Sequence, residues 1–295
     1  MKTCNLCKNE KELTEFNKMT RSPDGHAYTC RPCGKVFSKN QTNTIKGRIS
    51  CLCSSAKQRS AKRQQIFELS SDIIYKMWES QCGKCAYSGM QMNARGDWQV
   101  SLERKDPKRG YELDNICLIC LELNVSEQWS PEKLATLKTL PRFIDIDYSD
   151  EKIESFRYTA SHKGKIDLVF IRKKVYSSRE RVKRWAGKTR NMEDTLSTLT
   201  LEDVVSLLRE QKGLCAYSSF QMDFKKRSDF ALSIERKDSR RGYYRENVLL
   251  VCKIFNVGDH KVESVEENDS YPVWSKDKFD YFWNALHQEQ INHKQ

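Results

Sequence analysis

Cysteine spacing supplies the first chemistry in this chain. Cys4-Asn5-Leu6-Cys7 and Cys30-Arg31-Pro32-Cys33 are two Cys-x2-Cys knuckles about twenty residues apart, a spacing that lets four thiolates converge tetrahedrally on one Zn²⁺. Between them, Pro23-Asp24-Gly25 offers a hairpin turn, since glycine tolerates the positive φ of tight turns. A ribbon of about 40 residues has too little core to hold itself together, so the metal is expected to supply its folding energy. The chain has 12 cysteines. Met1-Lys2-Thr3-Cys4 lacks the apolar core of a secretory signal, so metal binding in a reducing compartment is expected rather than disulfides. Cys82-x2-Cys85 and Cys117-x2-Cys120 form a possible second zinc site, with buried free thiols as the alternative. Cys51 and Cys53 have no partners at useful spacing.

A second constellation occurs twice. Gly83-Lys84-Cys85-Ala86-Tyr87-Ser88 returns as Gly213-Leu214-Cys215-Ala216-Tyr217-Ser218, and Gln91-Met92 as Gln221-Met222. Ser101-Leu102-Glu103-Arg104-Lys105-Asp106 then matches Ser233-Ile234-Glu235-Arg236-Lys237-Asp238, followed without a gap by Arg109-Gly110-Tyr111 with Arg241-Gly242-Tyr243. The match continues through Asn115 with Asn247, Cys120 with Cys252 and Asn124-Val125 with Asn256-Val257. The second copy has Lys212 and Leu249 where the first has Cys82 and Cys117, so the module folds without a full thiol set. An exposed salt-bridge cluster is the bland reading of Glu-Arg-Lys-Asp; its recurrence, where flanking segments differ freely, speaks for a site.

The elements that must position these residues follow from periodicity. Ser70 caps a helix with Ile73, Ile74, Met77 and Trp78 on one face, and Thr200 with Asp203 caps its counterpart carrying Val204, Val205, Leu207 and Leu208. Gln99–Glu103 and Phe230–Glu235 read as strands, as do Asn115–Cys120 and Asn247–Cys252. A polar loop containing Gly110 or Gly242 joins each pair, and Asn124 and Asn256 are expected at the start of a helix. Trp129-Ser130 with Lys133, and Trp274-Ser275 with Lys278, open further helical stretches. Trp78, Trp129, Trp274, Phe279 and Trp283 are expected in cores.

This strand, loop, strand, helix order and the repeated Glu-Arg-x-Asp, Gly-Tyr, Asn and terminal Asn pattern resemble the HNH, or ββα-metal (His-Me finger), endonucleases, particularly the zinc-knuckle-bearing members common in phages and large DNA viruses. The resemblance covers most of the chain. It implies that Glu103 with Asn124, and Glu235 with Asn256, hold one catalytic divalent ion each, Mg²⁺ or Mn²⁺, and that Asn115 and Asn247 close the loop. Where the family carries its histidine base, this chain has Arg104 and Arg236. Arginine is always protonated and cannot accept the proton, but its fork suits a phosphate. Asp106 and Asp238 become the first candidates for base, an ion-acidified water the second, and Tyr111 and Tyr243 the third.

The expected fold is α+β: a Cys4 zinc ribbon over 1–44, a first HNH-like module with a basic lead-in helix over 45–145, a linker over 146–170 and a second module over 171–295. The charge fits a nucleic-acid partner. Lysine and arginine number 52 against 40 acidic residues, a net +12 with a pI near 9.1, and cations cluster at Lys57, Arg59, Lys62 and Arg63 and at Arg179, Arg181, Lys183 and Arg184. Solvated helix faces are the plainer account of any one cluster. Apolar runs are too short to span a membrane, and no Walker loop or nucleophile elbow is present. The expectation is an intracellular, unsecreted, zinc-containing endonuclease for double-stranded DNA. It works as a monomer, an internal pseudo-dimer open to further oligomerisation, in cytoplasm, nucleoid or an infected cell's nucleus. A silent or nicking DNA-binding scaffold is the alternative.

Overall fold

The computed structural model describes residues 1–124, 129–142, 167–185, 197–256 and 273–292. They form a mixed α+β chain whose sheets are all two-stranded and antiparallel. The strands are β1 (Lys2–Thr3), β2 (Glu10–Lys11), β3 (Phe16–Lys18), β4 (His26–Cys30), β5 (Val100–Arg104), β6 (Ile116–Cys120), β7 (Leu232–Arg236) and β8 (Val248–Cys252). The helices are α1 (Arg31–Thr42), α2 (Ile45–Arg63), α3 (Ser71–Ser80), α4 (Pro131–Lys138), α5 (Leu168–Trp185), α6 (Leu201–Glu210) and α7 (Lys276–Asn292). Two compact units result: Met1–Ala86 with Gln91–Leu121, and Tyr87–Met90 with Glu122–Gln295. No helix among the described residues is long and apolar enough to cross a membrane.

In the first unit, Thr44 caps α2 by accepting the Gly47 amide (3.1 Å). A Cβ on Gly47 would collide with the Gln41 carbonyl, so only glycine fits the corner between α1 and α2. α2 buries Ile49, Leu52, Ala56 and Ser60, an i, i+3/i+4 stripe that packs on α3 and β5. Ser70 caps α3 as expected, its hydroxyl accepting the Ile73 amide. A side chain missed in the sequence seals the outer edge of β6: Gln81 Oε1 accepts the Leu118 amide (3.0 Å) while its Nε2 donates to the Leu118 carbonyl (2.9 Å).

The second unit repeats this plan. α5 buries Ile171, Val175, Ser178 and Val182 and packs on β7 and α6. Thr200 and Asp203 form the capping box of α6, and Gln211 clasps Leu250 through both backbone groups (2.9 and 2.8 Å). Gln81 and Gln211 stand just before Gly83 and Gly213, where the recognised repeat begins, so a longer alignment of the copies finds them.

A 3-10 turn, over Leu121–Leu123 and Lys253–Phe255, follows β6 and β8 and delivers Asn124 and Asn256; the helix expected to start at these asparagines falls on 125–128 and 257–272, outside the described residues. Two boundaries differ from expectation. The expected linker ends early: Asp167 accepts the Phe170 amide (2.8 Å), so α5 is already under way before residue 171, while 143–166 are not described. And α4, assigned to the first module, belongs to the second unit, because the Trp129 ring before it lies 5.7 Å from Trp274, 5.9 Å from Phe282 and 6.0 Å from Phe255. Phe220, Phe279 and Trp283 extend this aromatic core, with Phe220 5.5 Å from Phe279 and 5.4 Å from Trp283.

The same unit buries an ion pair. Glu122 Oε1 and Lys278 Nζ lie 2.9 Å apart with side chains 5% and 15% exposed. Removing one partner strands a charge in the interior, so Lys278→Met is expected to cost about 3–5 kcal/mol in urea unfolding, and Glu122→Leu added to it to restore much of the loss.

Candidate functional site

The four N-terminal cysteines meet. The Sγ atoms of Cys4, Cys7, Cys30 and Cys33 all lie within 4.8 Å of one another, compatible with the edge of about 3.8 Å that Zn–S bonds of about 2.3 Å impose on a tetrahedron. Cys4 leaves β1 into a tight knuckle: its amide donates to the Asn9 carbonyl (3.0 Å), the Lys8 amide returns to the Cys4 carbonyl (2.9 Å), and Lys8 takes φ 60°. Cys30 ends β4 and Cys33 sits in the first turn of α1, so one hairpin and one helix start bring the second pair over the first. The Cys30 amide donates to Cys4 Sγ (3.3 Å) and pulls that thiol down to about 6. Cys33 is pushed the other way by hydrogen bonding to Cys30 and Cys7. Four thiols this close cannot all ionise without a cation between them, which is the donor set of a structural metal centre. The Pro23-Asp24-Gly25 turn forms as expected, with Gly25 at φ 71° and Asp24 accepting from Ser22 Oγ (2.7 Å), the His26 amide (3.1 Å) and Lys2 Nζ (2.8 Å).

The possible second zinc site does not assemble. Cys117 and Cys120 are three apart in β6 and so point to opposite faces. Cys82 is an exposed turn residue at φ 52°, matched by Lys212 at φ 55°. Among the described residues, the N-terminal four form the one metal-competent group of three or more Cys, His, Asp and Glu side chains. What survives is a pair. The Cys120 amide donates to Cys85 Sγ (3.3 Å) and the Cys252 amide to Cys215 Sγ (3.2 Å), as Cys30 does to Cys4. Around Cys215 the whole knuckle recurs: its amide donates to the Phe220 carbonyl, the Ser219 amide to the Cys215 carbonyl, and Ser219 takes φ 56°. The places three residues on, cysteine in the ribbon, are Ser218 and Phe255, both buried. The knuckle in this copy is thus Cys-x2-Ser, and its fold rests on apolar packing.

The loops of the two hairpins agree bond for bond. Asn115 Oδ1 accepts the Asp106 amide (2.9 Å) and its Nδ2 donates to the carbonyls of Asp106 (3.0 Å) and Gly110 (2.9 Å). Asn247 does the same with Asp238 (3.0 and 3.1 Å) and Gly242 (2.8 Å). Gly110 is required, since a Cβ there would strike the Ile66 backbone. Arg104 and Arg236 turn one nitrogen of the expected phosphate fork inward: their Nη1 atoms point into the loop, onto Pro107 and Arg109 carbonyls (2.8 and 2.9 Å) and onto Ser239 and Arg241 carbonyls (2.7 and 3.0 Å). Each guanidinium also stacks on the loop tyrosine, 5.3 Å from Tyr111 and 5.1 Å from Tyr243. The loop turns carbonyls inward over the arginine, and the arginine satisfies them. The candidate bases are similarly engaged. Asp106 accepts the Lys108 amide (2.9 Å); Asp238 takes the Arg240 amide and side chain and is held below the ordinary aspartate value by that arginine. Tyr111 and Tyr243 are buried, and Arg59 donates to the Tyr111 hydroxyl (3.0 Å).

Glu103 and Glu235 lie one residue before the strand ends, opposite Cys117 and Leu249. Burial and the Glu103 charge together push the Cys117 thiol up to about 11. Asn256 comes to the same strand: its Nδ2 donates to the Ile234 carbonyl (2.8 Å) and to Ser233 Oγ (3.0 Å), spending both amide protons beside Glu235. Its Oδ1 accepts no hydrogen bond among the described residues. Asn124 occupies the matching place in the first copy.

The basic residues divide by role. Lys57, Lys62, Arg63 and Arg181 are exposed. Arg59 is tied to Tyr111, Arg179 donates to the Leu199 carbonyl (2.9 Å), and Lys183 and Arg184 bond Glu180. No family model, curated protein or solved structure matches the chain.

Proposed function

We propose that the chain is a metal-dependent, site-specific DNA endonuclease with two HNH-like modules, each hairpin holding one Mg²⁺ or Mn²⁺ through an acid and an amide. The observation that carries this reading is the placement of Asn256: both its amide protons are used on β7 at Ile234 and Ser233, its oxygen is left over among the described residues, and the next residue of the strand is Glu235. Glu103 and Asn124 occupy the same places in the first copy. A hard divalent cation suits two oxygen donors and water; when bound it supplies charge stabilisation at the phosphate and an acidified water. The protein's own share is to fix the acid at a strand end, brace the loop with Arg104 or Arg236 and lock it with Asn115 or Asn247. Exposed cations on α2 and α5 attract the DNA backbone, and the ribbon, held by zinc, extends the contact surface. Two modules in one chain address the two strands of a duplex as a pseudo-dimer.

A catalytically silent scaffold is favoured by one observation: the place of the base is taken in both copies by an arginine spent on loop carbonyls. Purified protein incubated with supercoiled plasmid and Mg²⁺ or Mn²⁺ decides between them. Double cutting is expected for the wild type, nicking for Glu103→Gln or Glu235→Gln alone, and a fall of about a thousandfold for the pair. Tight binding without cleavage in either metal leaves only the silent scaffold, and no binding at all removes both readings.

A further inference from the structure

The two loops share a backbone but not a surface. In the first, the Arg109 guanidinium is captured by Glu112 (2.6 Å) and Asp114 (2.7 and 3.0 Å), which raises the arginine and lowers both acids. Glu68 adds a third carboxylate there, accepting the Leu113 amide (3.1 Å). In the second loop, the residues at these three places are Tyr244, Glu246 and Thr198. Arg241, the counterpart of Arg109, is exposed, lies 5.2 Å over the Tyr244 ring and makes no ion pair among the described residues. Across residues 105–114 three cations meet three carboxylates, whereas across 237–246 four cations meet two. Arg240 and Arg245 are answered by Asp238 and Glu210, so Arg241 is the guanidinium that this excess leaves to solvent.

We propose that the modules are not equivalent toward DNA: the second loop contacts a backbone phosphate through Arg241, held over Tyr244, while the first loop neutralises its own arginine and makes no such contact. A guanidinium resting on an aromatic face loses little freedom on binding and keeps its fork for phosphate. One already gripped by two carboxylates must first give them up, and those carboxylates repel the phosphate.

The proposal rests on the DNA-binding reading above, and a salt titration separates the two. Affinity for a fluorescent mixed-sequence duplex is measured against salt, with Ca²⁺ in place of Mg²⁺ so that the duplex survives. Each lost phosphate contact lowers the slope of log K against log salt by about one. Arg241→Gln is expected to do so and Arg109→Gln to leave the slope unchanged; Glu112→Gln with Asp114→Asn is expected to raise it by freeing Arg109. Arg109, Asp114 and Arg241 are exposed and Glu112 is half-buried, and a melting curve for each variant checks the fold. Salt-dependent wild-type binding with equal effects of Arg109→Gln and Arg241→Gln, or with no effect of Arg241→Gln, overturns the asymmetry while leaving the DNA-binding reading intact. Wild-type protein that binds no duplex ends both.

Discussion

Removing metal from the protein is expected to unfold the N-terminal ribbon and spare both hairpin modules. The ribbon's buried cluster is Cys4, Phe16 and Cys30, with Cys7 and Cys33 packed against it, and three of its strands have two or three residues. Such a core cannot offset the entropy of ordering the chain, whereas a structural zinc contributes on the order of 10–16 kcal/mol to peptide folding. The hairpin modules have no such dependence, since Ser218 and Phe255 fill the knuckle places of the second copy and the helices α3 and α6 cover the sheets. In hydrogen exchange with a strong chelator, amides of 2–30 are expected to lose protection while β5 to β8 keep theirs. Cys30→Ser is expected to reproduce the effect without chelator. Retained protection in the ribbon, or collapse of the whole chain, contradicts this account.

The second large effect concerns the loop asparagines. Asn247→Ala removes three hydrogen bonds, leaves the Asp238 amide and the Gly242 carbonyl unanswered and leaves the Asp238 carbonyl only the Arg241 amide. At about 1–3 kcal/mol for each unsatisfied buried group, partly relieved by water, the expected loss is about 3–5 kcal/mol in urea unfolding of the second unit. Asn247→Asp keeps the acceptor but loses both donors, so it is expected to recover little. Asn115→Ala is expected to act equally on the first hairpin, because its bonds are the same within a few tenths of an ångström. A loss below about 1 kcal/mol would mean that the loops hold their shape by Arg104 and Arg236 alone.

Much of the fold is legible in residue order because it is local. The knuckle at Cys4 and Cys7 closes on its own neighbours, Ser70 and Thr200 cap helices three residues on, and the strands announce themselves by apolar runs. The repeat is legible because each hairpin fixes its own register; the match of the two copies pairs Asn115 with Asn247, and their loop-closing role is what the resemblance implies. Counting cysteines misleads where direction matters: Cys117 and Cys120 satisfy a zinc spacing on paper, but in a strand three residues turn the second side chain to the opposite face.

What residue order cannot contain is where a long side chain spends its hydrogen bonds. Arg104 and Arg236 have the chemistry of a phosphate clamp in any sequence, yet a loop folded over them exposes carbonyls that must be answered, and the guanidinium beside them answers. Gln81 and Gln211 seal sheet edges 37 and 39 residues away, and Trp129 joins the rings of Phe255 and Trp274, contacts no local window records. The sequence by itself determined the cysteine knuckles, the caps and the two matching hairpins, since those depend on neighbours along the chain. Only the tertiary structure decided which polar groups remain available, because desolvation is set by whatever the rest of the molecule packs against them.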